Sequence, residues 1–203
     1  MKIKIFIFIL VSAILSVFFF DHSISVSFSN EYFKEHYWQF FRTMTDLGLG
    51  EIYFSIAIGT YVTARFLFKN DYYRKWSLNF FICLLTSGIT LQLAKHIVGR
   101  QRPLQTVDFN PFVFQPFNFD WYFHSMPSGH SQVIFCAAAL FSIAFPKWKW
   151  LWFVFATFIA FTRIATQQHW LSDAIIGAYI GWGVSFLTLQ WLSKYPNLNL
   201  QTK

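Results

Sequence analysis

Six long apolar runs constrain the fold of this chain more than any other feature of its sequence. Each is close to the roughly 17 to 25 residues that an α-helix needs to cross a bilayer. They cover residues 3–20, 52–68, 76–93, 129–145, 148–164 and 171–192. Only 12% of the 203 residues are charged, against roughly 25% in a soluble domain. The sequence therefore predicts an all-α, polytopic membrane bundle of six transmembrane helices, forming one domain over residues 1–203.

The basic residues indicate how this bundle is oriented. Cytoplasmic loops of membrane proteins carry an excess of Lys and Arg. If the N-terminus is cytoplasmic, most of the basic residues fall on the cytoplasmic side, beside a single acid, Asp71. We therefore expect a plasma-membrane or inner-membrane protein with both termini in the cytoplasm. The cytoplasmic basic residues are then Lys2, Lys4, Arg65, Lys69, Arg74, Lys75, Lys147, Lys149, Lys194 and Lys203.

These features allow two other interpretations. The first run could be a cleaved signal peptide, but no small-x-small cleavage site precedes Asp21, which favours an uncleaved span. The net charge of +7 could suggest nucleic acid as a partner. However, the basic residues lie mostly at the ends of apolar runs and form no patch, so no nucleic-acid partner is expected.

Residues 30–48, between the first two runs, show apolar and aromatic positions at helical spacing. Charged residues, including Lys34 and Arg42, lie between them. This pattern predicts either an interfacial helix on the outer leaflet or an ordinary packed loop helix. In both cases the helix would lie where a lipid substrate could approach.

Three segments on the predicted outer side carry most of the polar residues that are unexpected in a membrane protein. They are K-H-I-V-G-R-Q-R-P (residues 95–103), P-S-G-H (127–130) and T-R-x5-H-x3-D (162–173). The topology, which rests mainly on other charges, brings all three to one membrane face. Ionisable groups in such positions are costly and mark functional sites. The 95–128 connection is the longest in the chain, and a loop of that length is usually functional.

The residue types in these segments suit the binding of an anion. Ser128 is a helix-capping residue, and Gly129 lets the backbone approach a ligand closely. A helix that begins here would present unpaired N–H donors and a positive dipole to the anion. Three cations, Lys95, Arg102 and Arg163, would surround the same oxygens. Arg100 is interpreted as a loop or headgroup contact.

The remaining residues suit transfer of a phosphoryl group. His169 and Asp173 are four residues apart, so on a helix they share one face. The carboxylate would accept the Nδ1–H of the imidazole, which leaves Nε2 free to attack phosphorus. His130 would give a proton to the leaving oxygen. No carboxylate cluster is available for a metal, so no metal and no cofactor are expected.

At these residues the chain resembles the type 2 phosphatidic acid phosphatase family, whose pattern is K-x6-RP, PSGH and SR-x5-H-x3-D. The match runs from Lys95 to Asp173 in order and in spacing, and Thr162 stands where the family usually has Ser. The resemblance implies a phosphohistidine intermediate at His169, general-acid catalysis by His130 and no metal requirement. It implies a membrane-bound phosphatase whose substrate is a phosphorylated lipid in the bilayer.

The leading interpretation is hydrolysis of a phosphate or diphosphate headgroup at the outer leaflet. Polyprenyl diphosphate, phosphatidylglycerol phosphate, phosphatidate and lipid A phosphates remain open as substrates, and the oligomeric state is open too. The vanadium-dependent haloperoxidases share the anion site, but they are soluble. Two alternatives use the same basic pocket: an anion transporter or channel, and a catalytically silent member of the family.

Overall fold

The computed structural model describes residues 3–200, and nine α-helices account for most of that range. Two of the charges used above for topology, Lys2 and Lys203, lie outside it. Within residues 3–200 there is no β-strand, only an isolated bridge between Arg100 and Phe114. The helices are α1 (Ile3–Phe19), α2 (Asp21–Ser27), α3 (Glu31–His36), α4 (Trp38–Thr45), α5 (Gly50–Val62), α6 (Asp71–Val98), α7 (Gly129–Ala144), α8 (Lys149–Ala165) and α9 (Leu171–Leu192).

Each predicted apolar run coincides with a helix, and the all-α prediction is confirmed for the described residues. Among these residues three helical stretches are long and apolar enough to cross a membrane: Trp38–Leu67, Asp71–Val98 and Leu171–Leu192. The bent pair Phe6–Phe19 and Asp21–Ser27 would make a fourth span, and Gly129–Ala144 is a shorter apolar helix. The chain is thus a helical membrane protein, while the number of six spans stays a prediction.

Helix α6 is longer than its apolar run because a capping asparagine and a left-handed glycine define its two ends. The Asn70 side chain accepts a hydrogen bond from Tyr73 N and caps the start. Gly99 ends the helix in the left-handed region, with φ of 60°. A Cβ atom at Gly99 would lie 1.8 Å from the Gln115 carbonyl oxygen, so only glycine fits. The chain then folds back over the end of α6, and this return builds the site.

Close packing between α7 and α9 fixes the relation of two of the three motif segments. Gly177 and Gly181 lie on the face of α9 that meets α7. A Cβ atom at Gly177 would be 2.3 Å from the Ser128 carbonyl oxygen, and one at Gly181 would be 2.1 Å from that of Gln132. These two glycines therefore allow the close packing of α9 on α7 within the bundle.

The segment at residues 30–48 is helical, as its spacing predicts. It forms α3, α4 and a short 3₁₀ turn at Asp46–Gly48. The Asn30 side chain caps α3 by accepting a hydrogen bond from Phe33 N. Phe41 of α4 contacts the rings of Phe158 and Phe161 on α8, with centroids 6.5 and 5.7 Å apart. The segment is thus packed onto the bundle, and its position relative to a membrane interface stays a prediction.

Candidate active site

The three motif segments meet at one end of the bundle, around His169. This side chain is 2% exposed and lies in the short connection between α8 and α9. Lys95, Arg102, Arg163 and His130 all lie close enough to act electrostatically on its imidazole. Lys95 comes from the end of α6, Arg102 from the following loop, and Arg163 from the end of α8. The structure therefore brings together the residues that the sequence selects.

One nitrogen of His169 has a fixed hydrogen-bond partner, and this defines the tautomer. Nδ1 lies 2.7 Å from the Ser125 carbonyl oxygen. Because a carbonyl only accepts, Nδ1 must be the protonated donor. In the neutral ring Nε2 then carries the lone pair. The lone pair of the neutral imidazole is therefore on Nε2, the nitrogen that the Ser125 carbonyl does not contact.

Asp173 does not accept the Nδ1–H of His169, contrary to the sequence prediction. Its Oδ2 lies 3.8 Å from Nδ1, a distance that allows an electrostatic contact but is too long for a hydrogen bond. Oδ2 instead accepts from Ser125 Oγ at 2.5 Å and from Trp170 N at 3.0 Å. Asp173 thus orients His169 through Ser125, which is bonded to both. The i, i+4 spacing misled because His169 precedes the first turn of α9 and is not on the helix.

Two of the predicted phosphate-binding cations are held by backbone carbonyls of the 95–128 loop and of the connection between α8 and α9. Lys95 Nζ donates to the His124 carbonyl oxygen at 2.7 Å. Arg102 donates to the carbonyls of Gln168 at 3.1 Å and His124 at 3.4 Å, and its guanidinium lies 4.1 Å from the centroid of the Trp121 ring. Lys95 is 7% exposed and Arg102 is 6% exposed. The loop, together with the Gln168 carbonyl, therefore holds these cations in place at the site.

Arg163 is the cation with the most unused hydrogen-bonding capacity. It is 7% exposed, and its Nη1 donates to Thr45 Oγ1 of α4 at 3.1 Å. Its Nε is buried and has no partner among the described residues. A buried donor without an acceptor is unfavourable, so this Nε–H is available to an anionic oxygen.

The start of α7 provides the backbone donors. Ser128 caps the helix: its Oγ accepts from Ser131 N at 3.5 Å, and its own N–H donates to the Asp173 carbonyl at 3.0 Å. The first N–H groups of a helix, here those of Gly129 and His130, have no acceptor within the helix. They are the donors that remain for an anion.

Burial and positive charge both keep His169 neutral. Desolvation is the largest cause that moves its pKa well below the ordinary value, and the charges of Arg102, Arg163 and Lys95 act in the same direction. Burial also lowers the pKa of Arg102 to about 10, partly opposed by Asp173. Arg102 therefore remains charged at neutral pH while His169 keeps its lone pair.

Arg100 contacts the loop, as the sequence interpretation allowed, since its Nε donates to the Pro111 carbonyl oxygen at 3.1 Å; it also joins the site, which was not predicted. Its side chain is fully buried, and its Nη1 donates to Asp173 Oδ1 at 2.7 Å. It is therefore buried within the protein rather than exposed to lipid headgroups. Ser125 was not predicted as a site residue. Its bond to His169 uses a backbone carbonyl, and every residue has one.

A cavity of about 600 Å³ reaches the site from the side of the bundle. His130 and Gly129 contribute to its lining, together with apolar residues of α5 and α6. Leu85, Ile89 and Leu93 on the α6 wall are 46%, 54% and 62% exposed, so this wall lies at the outer surface of the bundle. The cavity therefore connects the general-acid candidate with an apolar surface.

Within residues 3–200 there is no group of three His, Cys, Asp or Glu side chains that could hold a metal ion. Both cysteines, Cys83 and Cys136, are free and buried in the apolar core. Neither belongs to a ligand set.

Curated relatives of this chain are membrane-lipid enzymes by name. It is 34% identical to a lipid A 1-phosphatase of Rhizobium etli over 108 residues, which is 53% of this chain and 47% of the relative. It is 30% identical to an undecaprenyl-diphosphatase of Sulfolobus acidocaldarius over 138 residues, 66% of this chain and 64% of the relative. The chain thus spans about half the length of the first of these relatives.

A solved structure shares the fold. The crystal structure of Aquifex aeolicus LpxE superposes with a TM-score of 0.57 at 21% identity, covering 75% of this chain and 85% of the other. The sequence profile of the PAP2 superfamily matches residues 76–196, a range that includes all three motif segments. The chain belongs to the PAP2 superfamily.

Proposed function

We propose that this chain is an integral-membrane lipid phosphatase that works through a phosphohistidine at His169. The observation that carries the proposal is the state of this imidazole. Its Nδ1–H is bonded to the Ser125 carbonyl, its Nε2 has no hydrogen-bond partner within residues 3–200, and three cations lie around it. A neutral, oriented nucleophile among fixed positive charges is the arrangement that phosphoryl transfer requires.

In the first step Nε2 of His169 attacks the terminal phosphorus, and the bond from that phosphorus to the ester or bridging oxygen on the lipid side breaks. His130 gives its proton to that oxygen, and the lipid leaves with one phosphate fewer. Lys95, Arg102 and Arg163 stabilise the charge on the equatorial oxygens, together with the backbone donors of Gly129 and His130. Asp173, acting through Ser125, stabilises the charged imidazole.

In the second step a water molecule attacks the phosphohistidine. His130, now neutral, takes a proton from this water, and the phosphorus–nitrogen bond breaks. Inorganic phosphate leaves, and His169 returns to its neutral form. Ser128 supports both steps by capping α7 and by bonding the Asp173 backbone, which keeps the α7 and α9 segments in register.

The proposed substrate is a lipid with a phosphate or diphosphate headgroup. The cavity lined by His130 and by apolar residues of α5 and α6 supports this class, because it joins the chemistry to a surface suited to acyl or prenyl chains. The names of the relatives add lipid A and undecaprenyl diphosphate as candidates. Phosphatidylglycerol phosphate and phosphatidate are also candidates.

The proposal includes a membrane arrangement. A single domain crosses the membrane six times, both termini are cytoplasmic, and the site faces the extracytoplasmic side. The charge distribution of the sequence supports this orientation. Three buried cations would neutralise the transferred group, which supports a reaction that needs no metal ion.

The direct test is a phosphate-release assay on the purified protein in detergent, with each of these lipids supplied separately. We expect release from at least one of them and none from the His169→Ala variant, provided that the variant keeps its melting temperature. Lack of release from every lipid would contradict the proposal. It would favour the anion transporter or the catalytically silent member.

A further inference from the structure

A buried ionic network leads from the N-terminal helices to His169, and the mechanism above does not use its first two members. Asp21 and Arg100 are fully buried and form an ion pair, with Nη2 and Oδ2 2.9 Å apart. Asp21 lies at the break between α1 and α2, where the chain bends by 58°. It lies outside residues 76–196, the range that the superfamily profile matches.

The guanidinium of Arg100 is fixed by buried acceptors. Nε and Nη2 both donate to the Pro111 carbonyl oxygen, at 3.1 and 2.9 Å. Nη1 donates to Ser172 Oγ at 2.6 Å and to Asp173 Oδ1 at 2.7 Å. One face lies against the Trp170 ring, with 5.0 Å to its centroid. Such a group cannot move without leaving a buried charge unpaired.

The carboxylate of Asp21 ties this arginine to the start of α9. Oδ1 accepts from Ser16 Oγ and from the backbone N–H of Ser172, both at 3.0 Å. Oδ2 accepts from Ser172 Oγ at 2.5 Å as well as from Arg100. Ser172 directly precedes Asp173 in the chain. Asp21 therefore holds Arg100, which binds Asp173, and it also holds the backbone of Ser172, the residue before Asp173.

We infer that Asp21 and Arg100 are positioning residues of the active site. Arg100 occupies Oδ1 of Asp173, which leaves Oδ2 to bind Ser125 Oγ, and the carbonyl of Ser125 fixes the His169 ring. This assignment rests on the proposed phosphatase function. It makes the N-terminal helix pair part of the catalytic machinery, although neither residue is bonded to the nucleophile. Both act on the orientation of His169 and not on the capture of substrate.

The primary test is the Asp21→Asn variant, which keeps the shape and removes the charge. We expect kcat to fall roughly 10- to 100-fold, as for a small misplacement of a reacting group, with KM changed by less than about twofold. Asp108→Asn is the matched control, because Asp108 is an exposed loop carboxylate without an ion pair among the described residues. It should leave kcat unchanged.

A double-variant cycle separates positioning from a merely structural role. If Asp21 acts through Asp173, then Asp21→Asn should cost much less in an Asp173→Asn background than in the wild type. A purely structural role would give losses in kcat that multiply. Ser172→Ala is the milder second variant if Asp21→Asn fails to fold, and it should lower kcat with KM retained.

The outcomes are distinct. Wild-type kcat in Asp21→Asn or, if that variant does not fold, in Ser172→Ala would overturn the inference, and so would fully multiplicative losses in the cycle. In these cases the proposed phosphatase function would stand, because the wild type would still release phosphate. If the wild type is inactive on every lipid tested, the proposed function itself has failed.

Discussion

Replacing Gly177 with alanine should disable the site without touching any residue that carries the chemistry. The new Cβ would lie 2.3 Å from the Ser128 carbonyl oxygen, whereas ordinary contact begins at 3.4 Å. Since the obstacle is backbone, α7 and α9 must separate by about 1 Å at this point. A displacement of that size in an active site costs on the order of 100-fold in rate. Overpacking of a helix interface costs about 1–3 kcal/mol of stability.

The contact between Gly177 and Ser128 lies at the start of α7. Ser128 caps α7 immediately before Gly129 and His130, and its N–H bonds the Asp173 carbonyl. Separation at Gly177 therefore moves the backbone donors away from His169. The assay is kcat for phosphate release from the best lipid substrate, with the melting temperature in detergent measured in parallel.

Gly59→Ala is the matched control. Gly59 is also inside a helix, but a Cβ there would meet nothing within 4 Å. The control should keep full activity, and it should gain up to about 1 kcal/mol from alanine's helix propensity. If Gly177→Ala matches this control in kcat and in melting temperature, the account of α7–α9 packing is wrong.

Three further predictions concern pH, metal and topology. The acidic limb of the kcat/KM profile should lie well below pH 6.5. Burial and the charges of Arg102, Arg163 and Lys95 lower the pKa of His169, so the neutral, nucleophilic ring persists to lower pH. An acidic limb at or above pH 6.5 would contradict this. Activity should persist in excess chelator and be inhibited by vanadate, which adopts the geometry of the transferring phosphorus; loss in chelator with recovery on adding a divalent metal would refute the metal-free mechanism. A cysteine introduced at Phe117 should react with an impermeant thiol reagent added to intact cells, and one introduced at Lys147 should not. Background labelling should be low because both native cysteines are buried. The reverse pattern would place the site in the cytoplasm.

The helices were predictable because their signals are local. Each apolar run is long, and some ends carry a local signal, such as Ser128 before α7 and Pro146 after it. Helix α9 begins and ends where its run does. Helix α6 extends beyond its run because Asn70 and Gly99, rather than hydrophobicity, fix its ends.

The clustering of the motif residues could be predicted from the sequence, but most of their hydrogen bonds could not. The three motif segments identify the histidines and cations because their spacing is specific. The sequence does not reveal that Ser125 accepts the His169 proton, since the interaction uses a backbone carbonyl 44 residues away. It also gives no sign that Arg100 points inward while belonging to an irregular loop, where no periodicity indicates direction.

The pairing of Asp21 with Arg100 could not be predicted from the sequence either. The two residues are 79 positions apart, and each looks like a residue at the end of an apolar run. Only the fold shows that the break after α1 places a carboxylate beside the start of α9. Composition alone does not distinguish a buried, paired charge from an exposed one.

The central claim is a covalent phosphohistidine at His169, and trapping it is the most direct test. The protein is mixed with a substrate labelled in the transferred phosphate and carrying a good leaving group, then quenched with alkali within milliseconds. His130→Ala should accumulate the label, because the second step lacks its base while the first step no longer needs an acid. The account predicts an acid-labile label on the peptide that contains His169, absent from His169→Ala. Turnover without any trapped label, or a label on another residue, would contradict it.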